Sequence, residues 1–433
     1  MLTSSLRIKN EDLIFKQLQR FHRYIHSISR CQFLVGENST GKTSILNLIN
    51  IISDFNFWFS PNFNNNVVEL GYFSEIVNQR NEKKTSFEIG IEFYNKRNKG
   101  NFPKYIYVKF DEKENRPHIK VHKFICDKHS ITITFFSKSL SYQVSDFNNE
   151  SFEEWIKQDE TKLGKKHRVL LHRTGLSFPL LQSYVYLDIQ KKNKDLGILG
   201  FFPPHFENEL VWLGPIRAKA KRYYEAYKSA FSPEGDHAPI ILKRLLSNKE
   251  KNSKLIQAIK SFGKESGLFD EIEINDFGKS KDSPFSININ YDSLPIRITN
   301  VGYGVSQILP ILVEILTSQK DALAIQQPEV HLHPRAQAAL GELIYYSSQS
   351  QKNRFFIETH SEYTINRFRF HSYNSYKSEG PKNPSAQVLF FERTNEGIRV
   401  TNLPFNDRGQ YPQELPESYT KFFIDEEIKM LEF

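Results

Sequence analysis

A mainly apolar run, Cys31-Gln32-Phe33-Leu34-Val35, stands directly before Gly36-Glu37-Asn38-Ser39-Thr40-Gly41-Lys42-Thr43 and the stretch Ile45-Leu46-Asn47-Leu48-Ile49. A short apolar run closed by glycine reads as a buried strand, and the repeat after it reads as a helix, here ending near Ser53. An aromatic and Asn-rich stretch, Phe55 to Asn66, reads as a loop. Thr85 to Tyr94, Tyr105 to Phe110, His118 to Ile125 and Ile131 to Phe136 then place apolar residues at period two, which predicts an antiparallel sheet. Residues 137 to 205 carry little pattern beyond a helical hint at Phe152 to Lys162, and Lys219 to Ser266 read as helical. Phe285 to Tyr291 and Leu294 to Ile298 read as strands, and Ile308 to Ile315 as an apolar helix. Leu323-Ala324-Ile325 and Arg354-Phe355-Phe356-Ile357 read as buried strands that each end in polar residues. The expected fold is α/β, with a mostly parallel core sheet, an antiparallel β lobe and a helical subdomain. Four segments are expected: an N-terminal lobe at 1–136, a helical or insertion region at 137–284, a C-terminal lobe at 285–370 and an extension at 371–433.

The spacing G-x-x-x-x-G-K-[ST] at 36–43 is that of a phosphate-binding loop, and the strand before it and helix after it are the context the motif needs. Backbone N–H groups at a glycine-turned loop and a helix N-terminus converge on one anion-sized hollow. On this reading Gly36, Asn38, Ser39, Thr40, Gly41, Lys42, Thr43 and Ser44 hold the phosphates of ATP, and Thr43 ligates Mg²⁺. The alternative is a glycine-rich turn that binds nothing.

Gly302-Tyr303-Gly304-Val305-Ser306-Gln307 leads into the apolar helix and reads as a second anion-binding element. An ATPase that dimerises head to tail needs such an element, because the serine of one copy covers the γ-phosphate held by the other. The alternative is a helix N-cap by Ser306. In an open parallel sheet, ligand groups come from the C-terminal ends of strands. Gln326, Gln327 and Glu329 follow one strand, and Glu358, Thr359 and His360 end the next, so both ends fit one site beside the loop. Glu329, His331 and His333 are a weak metal signal, since i, i+2 spacing with no further ligand is not a typical donor set.

At 433 residues the chain is long for a single core, so two lobes are expected. A formal charge of +8 permits contact with nucleic acid without requiring it. The 36 Phe and 20 Tyr are spread over strand-like segments, where sheet packing accounts for them. Two cysteines far apart, Cys31 and Cys126, argue against disulfides and structural zinc. With no apolar run of about 18 residues and no signal-peptide core, a cytoplasmic protein without membrane contact is expected.

The order of these blocks resembles the ABC-type ATPase heads of the SMC, RecF and OLD (overcoming lysogenization defect) class. Within it, the chain is similar to compact bacterial AAA-type ATPases that carry Gly-Tyr-Gly-Val-Ser-Gln, Gln-Pro-Glu-x-His-Leu-His-Pro and Glu-Thr-His-Ser-Glu. The likeness extends to Leu213-Gly214-Pro215-Ile216-Arg217-Ala218, to Tyr223-Tyr224, and to Gly409-x-Tyr411-Pro412 and Phe422-Phe423. Several such ATPases are subunits of anti-phage systems, including Septu-like and PARIS-like pairs.

The resemblance implies a P-loop NTPase head that forms a dimer of heads or a higher homo-oligomer. It implies an effector, a nuclease encoded nearby, and leaves DNA as a possible partner. It makes Ser306 part of a signature motif acting in trans and His360 a switch histidine, with Gln326, Gln327 and Glu329 at the magnesium and catalytic positions. Gln326 and Gln327 stand where such heads carry Asp and Glu, so slow hydrolysis is expected: a positioned base is commonly worth about 10²–10⁴-fold. Glu329 or Glu358 are the acids near enough to substitute. A RecF-like DNA-binding ATPase is the rival reading. A nuclease site built from Asp407, Asp425, Glu426 and Glu427 is disfavoured, since these read as solvated charges.

Overall fold

The computed structural model of the chain describes residues 11–423 apart from 19–20, 59, 78–84, 93–104, 127–128, 138, 149, 159–166, 171–177, 193–209, 226–229, 281, 320 and 396. It divides into two units, Met1–Ser29, Ser44–Glu207 and Arg393–Val400 in the first, Arg30–Thr43, Asn208–Glu392 and Thr401–Phe433 in the second. This division differs from the four segments read along the chain. The strand and loop at 30–43 group with the C-terminal sheet, because parallel neighbours pair across hundreds of residues and sequence adjacency does not show it.

Numbering along the chain, the first unit holds β1 (Glu11–Leu18), β2 (Phe21–Ile28), β4 (Ser86–Glu92), β5 (Tyr105–Lys113), β6 (Arg116–Cys126), β7 (His129–Phe135), β8 (Ser139–Asp146) and β9 (His167–Leu170). They form one sheet in the order β2-β1-β4-β5-β6-β7-β8-β9, with antiparallel pairing throughout. The period-two segments lie on β4 to β7 as expected, and the sheet continues with β8 and β9, where the sequence showed only weak pattern. Helix α1 (Lys42–Ser53) follows the glycine loop, α2 (Phe73–Ile76) and α3 (Phe152–Lys157) are short, and α4 (Phe178–Lys192) buries Val185 and Ile189. The helical hint at Phe152 to Lys162 is met only by α3, its end lying outside the described residues.

One face of this sheet is apolar. Phe87 and Ile89, Ile106 and Phe110, and Ile131 and Ile133 all lie buried along it. The stretch read as a loop, Phe55 to Asn66, packs into the same core, with Phe63 edge-on to Phe87 at 5.4 Å and to Phe110 at 5.3 Å. Aromatic side chains bury large area at low entropy cost, so an irregular backbone still contributes core.

His122 lies on that apolar side of β6, beside Phe124, and is 1% exposed. Burial pulls its pKa down to about 3, so the folded state keeps the ring neutral. The folded value lies below the usual 6.5, so this contribution is complete above pH 6.5 and is lost as pH falls towards 3. Lowering pH from 7 to 5 is expected to cost about 2 kcal/mol of stability through this ring. Urea unfolding of wild type and His122→Leu at both pH values checks it: the variant should lose clearly less stability on acidification, and an identical loss would refute the assignment.

A second sheet, which belongs to the second unit apart from Arg393–Val400, consists of β3 (Cys31–Gly36), β10 (Leu210–Leu213), β14 (Ala322–Gln326), β15 (Arg354–Glu358), β16 (Ala386–Thr394) and β17 (Gly397–Pro404), in the order β10-β14-β15-β3-β16-β17. The pairs from β10 through β16 are parallel. Every residue of β3 and β14 is buried, the near-continuous apolar pattern of strands covered on both faces. A three-stranded antiparallel sheet, β11 (Glu271–Asp276), β12 (Phe285–Tyr291) and β13 (Leu294–Arg297), completes the strands.

Around the parallel sheet lie α5 (Ala238–Ser247), α6 (Ser253–Ser266), α7 (Tyr303–Thr317), α8 (Pro334–Tyr346) and α9 (Glu362–Lys377). Helical structure within 219–266 is confined to α5 and α6 among the described residues, so the region read as helical is shorter than expected. Helix α7 is buried on nearly every side, as a helix apolar all round must be. Among the described residues no helix is long and apolar enough to cross a membrane.

Candidate functional site

β3 ends at Gly36, and the chain turns through positive φ at Gly36, Ser39 and Gly41 before α1 begins at Lys42. A Cβ on Gly36 would lie 2.2 Å from the Phe391 carbonyl oxygen on neighbouring β16, so glycine is required there. Positive-φ residues interspersed with ordinary ones are the backbone pattern that can turn several N–H groups towards one anion. Glu37, Asn38 and Ser39 are exposed, Gly41 and Ser44 half-buried, and Thr40 is buried with its hydroxyl donating to the Glu37 carbonyl at 2.7 Å.

Lys42 is 3% exposed. Its ammonium donates to the carbonyls of Gly36 at 2.8 Å and Glu37 at 2.7 Å, folding it over the loop. Burial lowers its pKa, and the carboxylates of Glu358, Glu329 and Glu37 act against that shift. A buried cation held only by carbonyls fits a triphosphate, which would supply the missing negative charge.

Thr43 is exposed, and its hydroxyl donates to both carboxylate oxygens of Glu358, at 3.0 and 2.9 Å. The Gln326 amide donates to the same carboxylate at 3.2 Å. Residues 326 and 358 are register partners at the ends of β14 and β15, and 358 pairs with Leu34 of β3. The ends of β14 and β15 and the start of α1 thus bring an amide, a carboxylate and a hydroxyl together, and the carboxylate and hydroxyl are hard oxygen donors of the kind Mg²⁺ takes. The acid absent at Gln326 is present one strand away, at Glu358, which is 6% exposed.

The segment Glu358 to Glu362 divides its side chains among several tasks. Thr359 donates its hydroxyl to Glu329 at 2.8 Å, and the His360 N–H donates to the other oxygen of Glu329 at 2.6 Å. Ser361 caps α9, accepting from the Thr364 N–H at 3.1 Å, and Glu362 places an acid in the first turn. Burial raises the pKa of Glu329, while the hydrogen bonds from His360 and Thr359 and the charge of Arg217 oppose it. Burial and then the nearby Lys42 cation lower the pKa of His360, so its ring is neutral near pH 7. Gln327 adopts φ +42°, and its N–H donates to the Glu358 carbonyl at 2.8 Å.

Arg217 is the residue that sequence reasoning left without a task. It is 2% exposed and donates from one terminal nitrogen to the Gln326 carbonyl at 2.8 Å. Its Nε and Nη1 have no partner among the described residues, and burial pulls its pKa down to about 10, opposed by Glu329. A buried cation so placed holds the backbone at the end of β14 and lends positive charge behind Glu329. The only hint in the sequence was an arginine in an otherwise apolar Leu-Gly-Pro-Ile stretch.

Two further expectations meet different geometry. Helix α7 starts at Tyr303 with Gly302 at its N-cap, so Ser306 lies inside the first turn and is no cap. Its hydroxyl donates to the Tyr303 carbonyl at 2.8 Å and the residue is 6% exposed. Gly302 and Tyr303 are the exposed part of this element, and a Cβ on Gly304 would come 2.5 Å from the His331 carbonyl oxygen. His331 meets the Tyr303 ring edge-on at 4.7 Å, and His333 caps α8 by accepting from the Ala336 N–H at 3.4 Å. Both histidines thus have structural work, and among the described residues no cluster of three metal-ligating side chains occurs.

The tail block lies on the same unit. Gly409 takes φ +67°, Arg369 sits 4.0 Å over the Tyr411 ring, and Tyr411 and Tyr419 share a hydrogen bond of 2.6 Å. Phe422 reaches 6.2 Å from the His360 ring. Asp407 is exposed, and residues 425–427 lie outside the described residues.

Among solved structures, an SMC head bound to the C-winged helix domain of ScpA is similar over 91% of this chain and 98% of that chain, with 12% identity and a TM-score of 0.42. The SMC head domain from Thermotoga maritima is similar over 91% and 99%, with 11% identity and a TM-score of 0.36. The Smc head domain with an extended coiled coil, bound to the C-terminal domain of ScpA derived from Pyrococcus furiosus, is similar over 98% and 99%, with 10% identity and a TM-score of 0.38. No curated protein matches the chain. Residues 216–365, which carry Arg217, the start of α7, Gln326 and the Glu358 to Glu362 segment while leaving the glycine loop outside, match the family model of an AAA ATPase domain.

Proposed function

We propose that the chain binds ATP with Mg²⁺ at the ends of β3, β14 and β15, hydrolyses it slowly, and closes head to tail with a second copy to gate an associated effector nuclease in bacterial anti-phage defence. The observation that carries this reading is the meeting of Thr43, Glu358 and Gln326 beside the Lys42 loop. Lys42 and the loop N–H groups would hold the phosphates, and Thr43, Glu358 and the Gln326 amide oxygen would hold the metal. Mg²⁺ held there would supply charge neutralisation for the phosphates. Glu329, with its raised pKa and its position fixed by Thr359 and His360, is the group suited to take a proton. Neutral His360 would donate a hydrogen bond towards the phosphates without adding charge.

Slow turnover is supported by Gln326 and Gln327, neither of which accepts a proton. Pairing of two copies is supported by the exposed Gly302-Tyr303 turn and the neighbouring His331. With Ser306 buried, that turn is the surface a second copy would meet. Sedimentation of the full chain with and without ATP and Mg²⁺, alongside steady-state hydrolysis, tests both parts. A doubled mass that persists in ATP with little turnover is expected. A chain that stays monomeric in ATP, or one with rapid hydrolysis abolished by Gln327→Ala, would contradict the reading. The effector is tested by copurification from the native operon, where an ATPase that remains alone and fully active would remove it.

A further inference from the structure

The face of the antiparallel sheet opposite the Phe87 and Phe110 core, in the first unit, holds a cavity of about 600 Å³ that nothing in the nucleotide reading uses. Its floor comes from β5, β6 and β7, and α3 contributes Ile156 and the following Gln158 to its lining. Lys123 and Thr132 face each other across β6 and β7, and Val121 pairs with Thr134 in the same way. Lys109 reaches the cavity from β5 and Phe136 from the end of β7, its ring 42% exposed.

A β-bulge makes this set possible. Between Lys109 and Phe110 the register slips, so that Val121 pairs with Lys109, Ile119 pairs with Phe110, and Lys120 is the extra residue. Strict alternation would send Lys120 to the apolar face with His122 and Phe124; a bulge re-aims one side chain, and here Lys120 joins Lys123 at the cavity. A regular strand carries lysines to one face only at every second position. The irregularity thus gathers cations where the apolar core would otherwise have to bury one.

Two of the lining residues are themselves almost inaccessible. Lys123 is 4% exposed, its ammonium donating to the Trp155 carbonyl and lying 4.6 Å from the Trp155 ring centre. Thr132 is 3% exposed, and its hydroxyl has no hydrogen-bond partner among the described residues. A buried hydroxyl without a partner is costly, and a ligand oxygen at the cavity would satisfy it. Asp111 also lines the cavity, 3.6 Å from Lys120 and 3.4 Å from His118, and Lys109 lies 3.7 Å from Glu88. Both lysine contacts are long and the lysines are partly exposed, so an incoming anion can replace the carboxylates there. Lys120 also lies 5.5 Å from the Phe136 ring centre, placing a flat apolar surface beside the cations.

We infer that this cavity is a second ligand site, for a phosphate-bearing nucleotide unit whose phosphate meets Lys109, Lys120 and Lys123 while its base lies against Phe136. Thr132 supplies a hydroxyl to the same phosphate. A free nucleoside phosphate and a nucleotide within a single strand share this chemistry. The site lies in the other unit from the glycine loop and stands whether or not that loop binds ATP.

The test uses the full chain in EDTA with two probes, adenosine monophosphate and a six-residue oligothymidylate, followed by calorimetry at low and moderate salt. Wild type is expected to bind at least one probe. Lys120→Gln, at a partly exposed position, and Thr132→Val, which deletes an unpaired hydroxyl at nearly constant shape, are expected to weaken that binding about tenfold or more. Thermal melting of the variants should match wild type, and Lys42→Ala should leave the binding unchanged. Tighter binding of the mononucleotide marks a free metabolite as the source; tighter, steeply salt-dependent binding of the oligonucleotide marks a strand. If neither probe binds wild type, or both well-folded variants bind as wild type does, the site assignment is overturned.

Discussion

Replacing Lys42 by alanine is expected to weaken ATP binding by about 30-fold to several thousand-fold, the ~2–5 kcal/mol lost when one partner of a buried charge contact is truncated. The ammonium is 3% exposed and touches only the Gly36 and Glu37 carbonyls of its own loop among its hydrogen-bond partners. In the free protein that charge is held against its own desolvation, which is why its pKa is lowered. The variant is therefore expected to fold as well as wild type, with the loss confined to the nucleotide. Calorimetric titration with ATP, paired with thermal melting, separates the two effects. Tight ATP binding by a well-folded Lys42→Ala protein would remove the loop from the site.

The second large effect concerns Glu358. Its carboxylate accepts from the Thr43 hydroxyl and from the Gln326 amide, and it is the ionisable group of that donor set. Changing the surroundings of a metal ligand commonly costs about 10–100-fold in metal affinity, so loss of the charged ligand itself should cost about 100-fold or more. In Glu358→Ala, ATP affinity in Mg²⁺ is expected to fall to the level seen in EDTA. Gln326→Ala, which removes a neutral donor, should retain most of the metal dependence. Titrations of both variants with and without Mg²⁺ decide it. Full metal dependence in Glu358→Ala together with its loss in Gln326→Ala would place the metal on β14 and reject the present geometry.

Much of this site was legible in the residues. The glycine loop needs only local spacing, since Gly36 and Gly41 act through φ/ψ freedom and Lys42 and Thr43 follow on the next helical turn. The strands around Leu323 and Phe355 were legible because a parallel strand covered on both faces is continuously apolar. The antiparallel strands β4 to β7 followed from period-two alternation. What escaped was of another kind. The start of α7 at Tyr303 precedes the expected position because Gly304 suggests a loop where it sits in the helix, packed against the His331 backbone. The aromatic stretch Phe55 to Asn66 was read as mere connection because irregular backbone has no period, although Phe57 and Phe63 fill core.

The chain order of its motifs was enough to locate a glycine loop after one strand and polar residues closing two others. Which side chain comes beside Thr43 lay beyond that, because Gln326, Gln327, Glu329 and Glu358 all follow or end strands along the chain. Register across β14, β15 and β3 sets 358 beside Thr43 and turns Glu329 towards the His360 backbone. Arg217 became part of the site only when its buried guanidinium met the Gln326 carbonyl, 109 residues away in sequence. Local pattern encodes φ/ψ preference and which face is apolar, whereas the partner of a charge depends on long-range pairing that brings distant strand ends into hydrogen-bond reach.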